Sequence, residues 1–500
     1  MKQLSAFLEK HFKLSENNTD IKTEVIAGLT TFAAIAYILV VNPQVLSEPL
    51  FIMGDSAMGA KVFNGVFFAT CLISFVGTIL YALYAKLPFA QAPGMGLNAF
   101  FAFTIVLGMG YTYNQALGVV FISGVLFIIL SATGVREAIV NAIPATIKNA
   151  ITPGIGLFLT LIGLKNASLV IQNQATFVGL IDFSRWGETF AKETISVGGA
   201  EYLAADYRLM IGSAIVALVG LVVIAALTAR KVKGAMIIGI LVGTVVGIPF
   251  GLTHFGGFSL DMGQQFADFM EVSFFKIDFV GLFTHGGNPV ESTFTIIMLV
   301  LAFALVNMFD TIGTLLGTAK QANMLAPDGT MPRMKQAMLS DAIASAGGAL
   351  IGTSTATTVV ESSAGISVGG RTGLTSVVTA GMFLVAIVLA PFITIIPSAA
   401  TAPALIFLGV LMMGAVKDVD FGDMTEALPA FCTMVFMPFT YSIANGIAAG
   451  LITYILVKIL SGRHQFLKPA DGSERRREIN IITVVLAFLF VIRFAFMVNG

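Results

Sequence analysis

Residues 88–101 read P-F-A-Q-A-P-G-M-G-L-N-A-F-F, and residues 353–365 read T-S-T-A-T-T-V-V-E-S-S-A-G. Each stretch sits in an apolar run long enough to enter a bilayer, and neither can continue as a regular helix. Pro88, Pro93, Gly94 and Gly96 interrupt the first. The hydroxyl and β-branched residues Thr353, Ser354, Thr355, Thr357 and Thr358 weaken the second. Interrupted segments at matching places in two halves of a chain point to a binding site near the membrane midplane. Taken singly, each also reads as ordinary small-residue helix packing.

The surrounding sequence puts these breaks in a membrane protein. Of 500 residues, 56% are apolar and 11% charged, against about 25% charged in soluble chains. Mean hydropathy is +0.90. A soluble enzyme, a nucleic-acid binder and a disordered scaffold are excluded. Net charge is zero, so no global field recruits a polyanion. Cys71 and Cys432 lie far apart in apolar runs and read as buried hydrophobes. The first 24 residues are polar and lack the apolar core of a cleavable signal.

About 20 apolar residues cross a bilayer as a helix. The pattern predicts spans near 25–46, 62–85, 87–108, 114–132, 148–166, 209–229 and 234–250. After a polar stretch, 251–292, it predicts spans near 293–319, 334–352, 353–371, 374–391, 402–416, 426–441 and 442–461. Barrel-type alternation is absent, so the expected fold is an all-α polytopic membrane protein. Seven spans per half invert the second half relative to the first, giving two inverted repeats. The breaks then fall in spans 3 and 10. With a cytoplasmic N-terminus, 21 of the 28 basic residues lie on the cytoplasmic side and six outside, with Arg493 left over. That asymmetry follows the positive-inside rule. It puts residues 1–24 and 463–478 in the cytoplasm, and the loops 167–208 and 251–292 outside. Residues 481–498 form one more apolar run, which could cross the membrane, lie on it or pack on the bundle.

Three acids fall inside these spans: Asp310, Asp341 and Glu361. A charge near the bilayer centre costs roughly 2.5–3.5 kcal/mol on insertion scales. Asp341 is within two turns of the end of span 9 and reads as an interfacial carboxylate near Arg333 or Lys335. Asp310 and Glu361 lie deep and read as site residues, or else as structural acids capping a broken helix. Asn98 offers a donor and an acceptor to a ligand or to a neighbouring helix. Gln91 and Asn307 are weaker candidates, and Asn445 belongs to a turn. His11, His254, His285 and His464 all lie outside the spans, so carboxylates must carry any proton coupling. No HExxH motif, Cys/His cluster, P-loop or dinucleotide fingerprint occurs, so no metal, cofactor or catalytic residue is expected.

Several segments resemble one family. They are T-E-V-I-A-G-L-T-T-F at 23–32, A-P-G-M-G-L-N-A-F-F at 92–101, F-D-T-I-G-T-L at 309–315, T-S-T-A-T-T-V-V-E-S-S-A-G-I at 353–366 and G-G-R-T-G-L-T at 369–375. They are similar to the Azg-like purine permeases of the nucleobase:cation symporter family, from about residue 20 to residue 461. The resemblance implies fourteen spans, with short extended breaks in spans 3 and 10 facing each other beside the substrate. It implies a core domain (25–132 and 293–391) and a gate domain (133–250 and 392–461), with a loop at 251–292 and a tail at 462–500. By motif, the family's acids on spans 8 and 10 match Asp310 and Glu361, and its span-3 amide matches Asn98. The sequence departs modestly from the family at Val359-Val360.

The implied activity is proton symport of adenine, guanine or hypoxanthine across the plasma membrane, the inner membrane of a bacterium. Expected partners are a purine nucleobase, protons and membrane lipid, with a homodimer left open and no nucleic acid. Glu361 would accept hydrogen bonds from the purine edge, and Asp310 would carry the proton. Asn98, Thr357 and Thr358 would complete the substrate site. Phe100, Phe101 and Phe309 could stack on the ring, although core or lipid-facing roles are commoner for phenylalanine here. An anion or other small-solute transporter of the same architecture is the alternative, but it calls for a positive residue at the site. A membrane enzyme would need a nucleophile–base pair or a metal, and a channel would not concentrate its solute.

Overall fold

The structure, a computed structural model, describes residues 2–133, 144–253, 262–285, 289–321, 324, 331, 333–462 and 479–496. An amphipathic helix, α1 (Lys2–Phe12), leads to Asp20, which accepts from the Thr23 amide and caps α2 (Ile21–Ile35). A two-residue turn at Ala36–Tyr37 joins α2 to α3 (Ile38–Ile52). Asp55 accepts from the Met58 amide and caps α4 (Ser56–Leu80), which winds on to Ala85 and stops at Lys86 in the left-handed region. The chain then extends as β1 (Gln91–Pro93), turns into the short helix α5 (Met95–Ala99) and continues helical to Gly108. Helices α6 (Tyr113–Thr133), α7 (Ala145–Asn166), α8 (Ala204–Ala229) and α9 (Ala235–Val246) complete the first half.

Past the polar stretch, α12 (Pro289–Gln321) and α13 (Met334–Ile351) run to the second break. There the chain forms β6 (Ala356–Thr358) and the short helix α14 (Ser362–Ser367). Then come α15 (Gly373–Ala386), α16 (Ser398–Met412), α17 (Met424–Phe439), α18 (Ile443–Leu460) and α19 (Ile481–Phe496). Among the described residues, eight helical stretches are long and apolar enough to cross a membrane, including Ile21–Ile52, Ser56–Ala85 and Gly373–Ile393. Met95–Gly108, Ser292–Met308 and Met424–Phe439 are among the shorter apolar helices. Small residues bring helices together. A Cβ on Gly124 of α6 would stand 2.7 Å from the Ala346 backbone of α13.

Two stretches read as plain polar loops are structured. Within 167–208, β2 (Val170–Asn173) pairs with β3 (Phe177–Leu180), and β4 (Thr194–Val197) with β5 (Ala200–Leu203), both antiparallel. The second hairpin turns at Gly198-Gly199, both at positive φ, which a tight two-residue hairpin turn requires. Within 251–292, α10 (Met262–Asp268) and α11 (Phe279–Thr284) sit on the bundle. Asn64 donates to Asp268 at 2.7 Å, Phe275 donates through its amide to Leu350 O at 2.8 Å, and Lys61 pairs with Glu271 at 2.6 Å. Helix α19 packs along α18 and touches α12. Residues 463–478, His254, His464 and the side chains of Phe309 and Arg493 lie outside the described residues.

Candidate functional site

The two breaks meet. β1 and β6 pair antiparallel, with Gln91 opposite Thr358, Ala92 opposite Thr357 and Pro93 opposite Ala356. Bonds from Gly94 N to Thr355 O (3.1 Å) and from Val359 N to Ala90 O (3.2 Å) extend the ladder. All six strand residues are buried. Each strand runs straight into a short helix, α5 after Gly94 and α14 after Glu361. At the start of α14 the amides of Ser362, Ser363 and Ala364 already donate to the carbonyls of Val359, Val360 and Glu361, so among the described residues only the first turn of α5, at Met95–Leu97, keeps unpaired amides. Gly94 admits the close approach: a Cβ there would stand 2.8 Å from Thr357 Cγ2 and 3.7 Å from Asp310 Oδ2.

Asp310 and Glu361 approach this junction from α12 and from the start of α14. Both are half-buried. Asp310 is within electrostatic range of Asp341 and Glu361. Among the described residues it has no hydrogen-bond partner. Glu361 accepts from the Tyr37 hydroxyl at 2.8 Å through Oε1, with Tyr37 at the turn between α2 and α3. The two carboxylates therefore keep acceptor oxygens that the protein does not fill.

Asp341 behaves oppositely, and the interfacial reading does not hold. It is fully buried. Its Oδ1 accepts from Gln91 Nε2 (3.3 Å), Thr358 N (2.8 Å) and Thr358 Oγ1 (3.1 Å). Its Oδ2 accepts from Thr311 Oγ1 (2.5 Å) and Thr357 Oγ1 (3.3 Å). The residue lies two turns into α13, but that turn faces the strand pair rather than Arg333 or Lys335. Arg333 donates instead to the carbonyls of Ala85 and Lys86. Thr357 also shares a bond with Thr311 (3.1 Å), and Thr358 one with the Tyr81 hydroxyl (2.5 Å). The hydroxyls of Thr357 and Thr358 thus serve Asp341.

Asn98 is buried and donates through Nδ2 to Asn42 Oδ1 at 2.5 Å. Asn42 in turn donates to Thr70 (2.7 Å) and Thr353 (3.0 Å), tying α3, α4 and the breaks together. The Oδ1 atom of Asn98 and the hydroxyls of Ser354 and Thr355 are buried without a partner among the described residues. Asn307 donates to Ser345 at 3.2 Å, and Asn445 sits in the first turn of α18. Phe100 stacks on Phe303 and Phe101 packs edge-on to Tyr113, so both belong to the core.

Two further residues escaped the sequence reading. Tyr37 was one aromatic among many in an apolar run. Glu24 lies one residue before the expected start of span 1, yet it is fully buried. Its carboxylate accepts from the amides of Arg371 (2.8 Å), Thr372 (3.2 Å) and Thr375 (3.0 Å), and from the hydroxyls of Thr372 (2.9 Å) and Thr375 (2.6 Å). It therefore joins T-E-V-I-A-G-L-T-T-F to G-G-R-T-G-L-T and satisfies the N-terminus of α15. A charged residue abutting an apolar run, paired with a Thr-rich helix start elsewhere, was the available signal.

The family model described as "Permease family" matches residues 22–187 and 189–449. A chain from Methanocaldococcus jannaschii named as a permease is 40% identical over 491 residues, covering 98% of this chain and 99% of its own. The adenine permease AdeP of Escherichia coli is 38% identical over 489 residues, 98% and 96% of the two chains. The guanine/hypoxanthine permease PbuO of Bacillus subtilis is 37% identical over 486 residues, 96% and 99%. Among solved structures, the transmembrane domain of the cyanobacterial bicarbonate transporter BicA superposes with a TM-score of 0.57 at 15% identity, over 85% of this chain and 96% of its own. SLC26A9 superposes at 0.55 and 12% identity, over 93% of this chain and 70% of its own. At such identities these structures share the fold alone. The chain belongs to the permease family, a family of multi-pass membrane transporters and not of enzymes, and within it to the Azg-like purine permeases.

Proposed function

We propose that this protein imports a purine nucleobase (adenine, guanine or hypoxanthine) across the plasma membrane by proton symport with alternating access. One observation carries the reading: Asp310 and Glu361 flank a strand pair made from two helix breaks, and each keeps an unfilled acceptor. A purine edge supplies N–H donors to such acceptors, while its ring nitrogens accept from the amides in the first turn of α5. An unpaired buried polar group costs about 1–3 kcal/mol, so the site discriminates by edge pattern. Asp310, with no protein donor, is the candidate proton carrier, and Glu361 the candidate purine acceptor. Thr357 and Thr358 contribute by holding β6 on Asp341. Asn98 contributes its unpartnered Oδ1.

The architecture in this reading is fourteen spans in two inverted repeats, to which antiparallel pairing of equivalent breaks is suited. A core domain (25–132, 293–391) moves against a gate domain (133–250, 392–461). Contacts across that seam occur at both ends. Glu48 accepts from Lys165 (3.1 Å) and Asn166 (2.8 Å) at one end, and Lys233 donates to Ser367 (3.0 Å) at the other. The N-terminus faces the cytoplasm. Cysteine labelling at Phe177, exposed at a hairpin, and at Lys468 checks this. Labelling of position 177 alone from outside intact cells is the expected result, and labelling of 468 contradicts it.

The alternative is an anion or other small-solute transporter. The fold shared with a bicarbonate transporter favours it, as do the amides in the first turn of α5. Two carboxylates at the junction oppose it. The experiment is uptake of radiolabelled adenine in a transport-null bacterium, competed by purines, pyrimidines and bicarbonate. Saturable uptake, competed by purines and abolished by a protonophore, is expected. Competition by bicarbonate without competition by purines rejects the reading.

A further inference from the structure

Tyr37 stands where span 1 is interrupted, in the turn between Ile35 and Ile38. Its neighbours Ile35, Ile38, Leu39, Val40 and Val41 are all buried and apolar. A phenol in such surroundings needs a partner for its hydroxyl. That hydroxyl donates to Glu361, 324 positions away. The pair is asymmetric in exposure: Tyr37 is 3% exposed, whereas Glu361 is half-open and Val360 beside it is 51% exposed. Tyr37 thus meets the carboxylate from the buried side, while the chain beside Glu361 is exposed. Its bond occupies Oε1, and among the described residues no second side chain donates to the carboxylate, which otherwise meets only the amide of its own residue. A carboxylate held by one oxygen presents the other in a defined direction.

We propose that Tyr37 is a positioning residue that holds Glu361 with Oε2 directed at the solute, and so sets selectivity for donor-bearing edges. The inference rests on Glu361 being the solute acceptor, as in the proposed function. It adds the third broken segment, in span 1, to the two that form the strand pair. Without the phenol the carboxylate turns freely. The binding step then loses an oriented acceptor, while the transport movement itself is left intact.

The test is the kinetics of adenine uptake, and of its competition by hypoxanthine and unsubstituted purine, for wild type, Tyr37→Phe, Glu361→Gln and the double variant. Membrane abundance is measured in parallel. Tyr37→Phe is expected to raise KM about tenfold, the scale of a hydrogen bond to a charged group, with Vmax within about twofold. It is also expected to narrow the preference for adenine over unsubstituted purine. The double variant should be no worse than Glu361→Gln, because Tyr37 acts through Glu361. Rescue by 4-aminophenylalanine at position 37, which restores a donor on the same ring, is expected as well. If phenylalanine does not support folding, 4-methylphenylalanine removes the donor while filling its space. An unchanged KM in the donor-free variant, or additive effects in the double variant, overturns the inference. If wild type takes up no purine at all, the proposed function fails instead, so the two failures are distinguishable.

Discussion

Glu24 and Asp341 contrast with Asp310 and Glu361. All four are acids in or beside apolar helices, and depth alone does not separate them. Donor count does. Glu24 accepts from three amides and two hydroxyls, and Asp341 from an amide nitrogen, a side-chain amide and three hydroxyls. Glu361 has one side-chain donor, and Asp310 has none among the described residues. Saturated carboxylates fasten segments together: Glu24 fastens α2 to α15, and Asp341 fastens α12 and α13 to both strands. In the proposed function the unsaturated ones are left for a solute and a proton. Fully satisfied buried networks rigidify, whereas a group without partners is costly unless something else binds it.

The largest expected effect comes from emptying the Asp341 node. Asp341→Ala leaves several buried donors unpaired at about 1–3 kcal/mol each, and folded protein should fall below a tenth of wild type by immunoblot and gel filtration. Normal amounts of a stable Asp341→Ala protein would break the contrast. Glu24→Ala should cost about 3 kcal/mol or more by the same argument, read as a lowered thermal unfolding midpoint. Uptake per folded molecule should survive, because Glu24 is in the first turn of α2 and bonds residues 371–375 rather than the strand pair. The double change Thr357→Val, Thr358→Val removes two hydroxyl donors from Asp341 but keeps the Thr358 amide. A loss of about 2 kcal/mol in stability, with weakened adenine binding and retained membrane insertion, is expected. Unchanged binding would assign both residues to packing alone. Asn445→Ala should change uptake less than about twofold, since the bond recorded for Asn445 is from its backbone N–H to the Ser442 hydroxyl in the first turn of α18, which alanine keeps. A large loss there would move the site toward α18.

Much of this was legible in the sequence. The apolar runs gave the helices, because lipid-compatible segments must be both long and uncharged. Both breaks were legible because proline, glycine and a run of threonines have local effects. Asp310 and Glu361 stood out as charges in apolar surroundings. The readings that failed depend on convergence from distant parts of the chain. Asp341 looked interfacial because sequence gives depth along a helix but not the face. That Thr357 and Thr358 share Asp341 as a partner was hidden because Asp341 is on another span. Glu24 lay just before the apolar run, and Tyr37 resembled its aromatic neighbours. The region 262–285 is polar yet packed, through side chains such as Asp268 that bond to α4.

The division of labour between the two unsaturated acids is the central claim, and one substitution tests it most directly. Asp310→Asn keeps the shape of the side chain but cannot ionise. Uptake of radiolabelled adenine against its gradient, with and without an imposed proton gradient, is compared with adenine exchange in vesicles preloaded with adenine. The account predicts that Asp310→Asn loses concentrative uptake while retaining measurable exchange, whereas Glu361→Gln weakens both through poorer adenine binding. Concentrative, proton-dependent uptake by Asp310→Asn would contradict it.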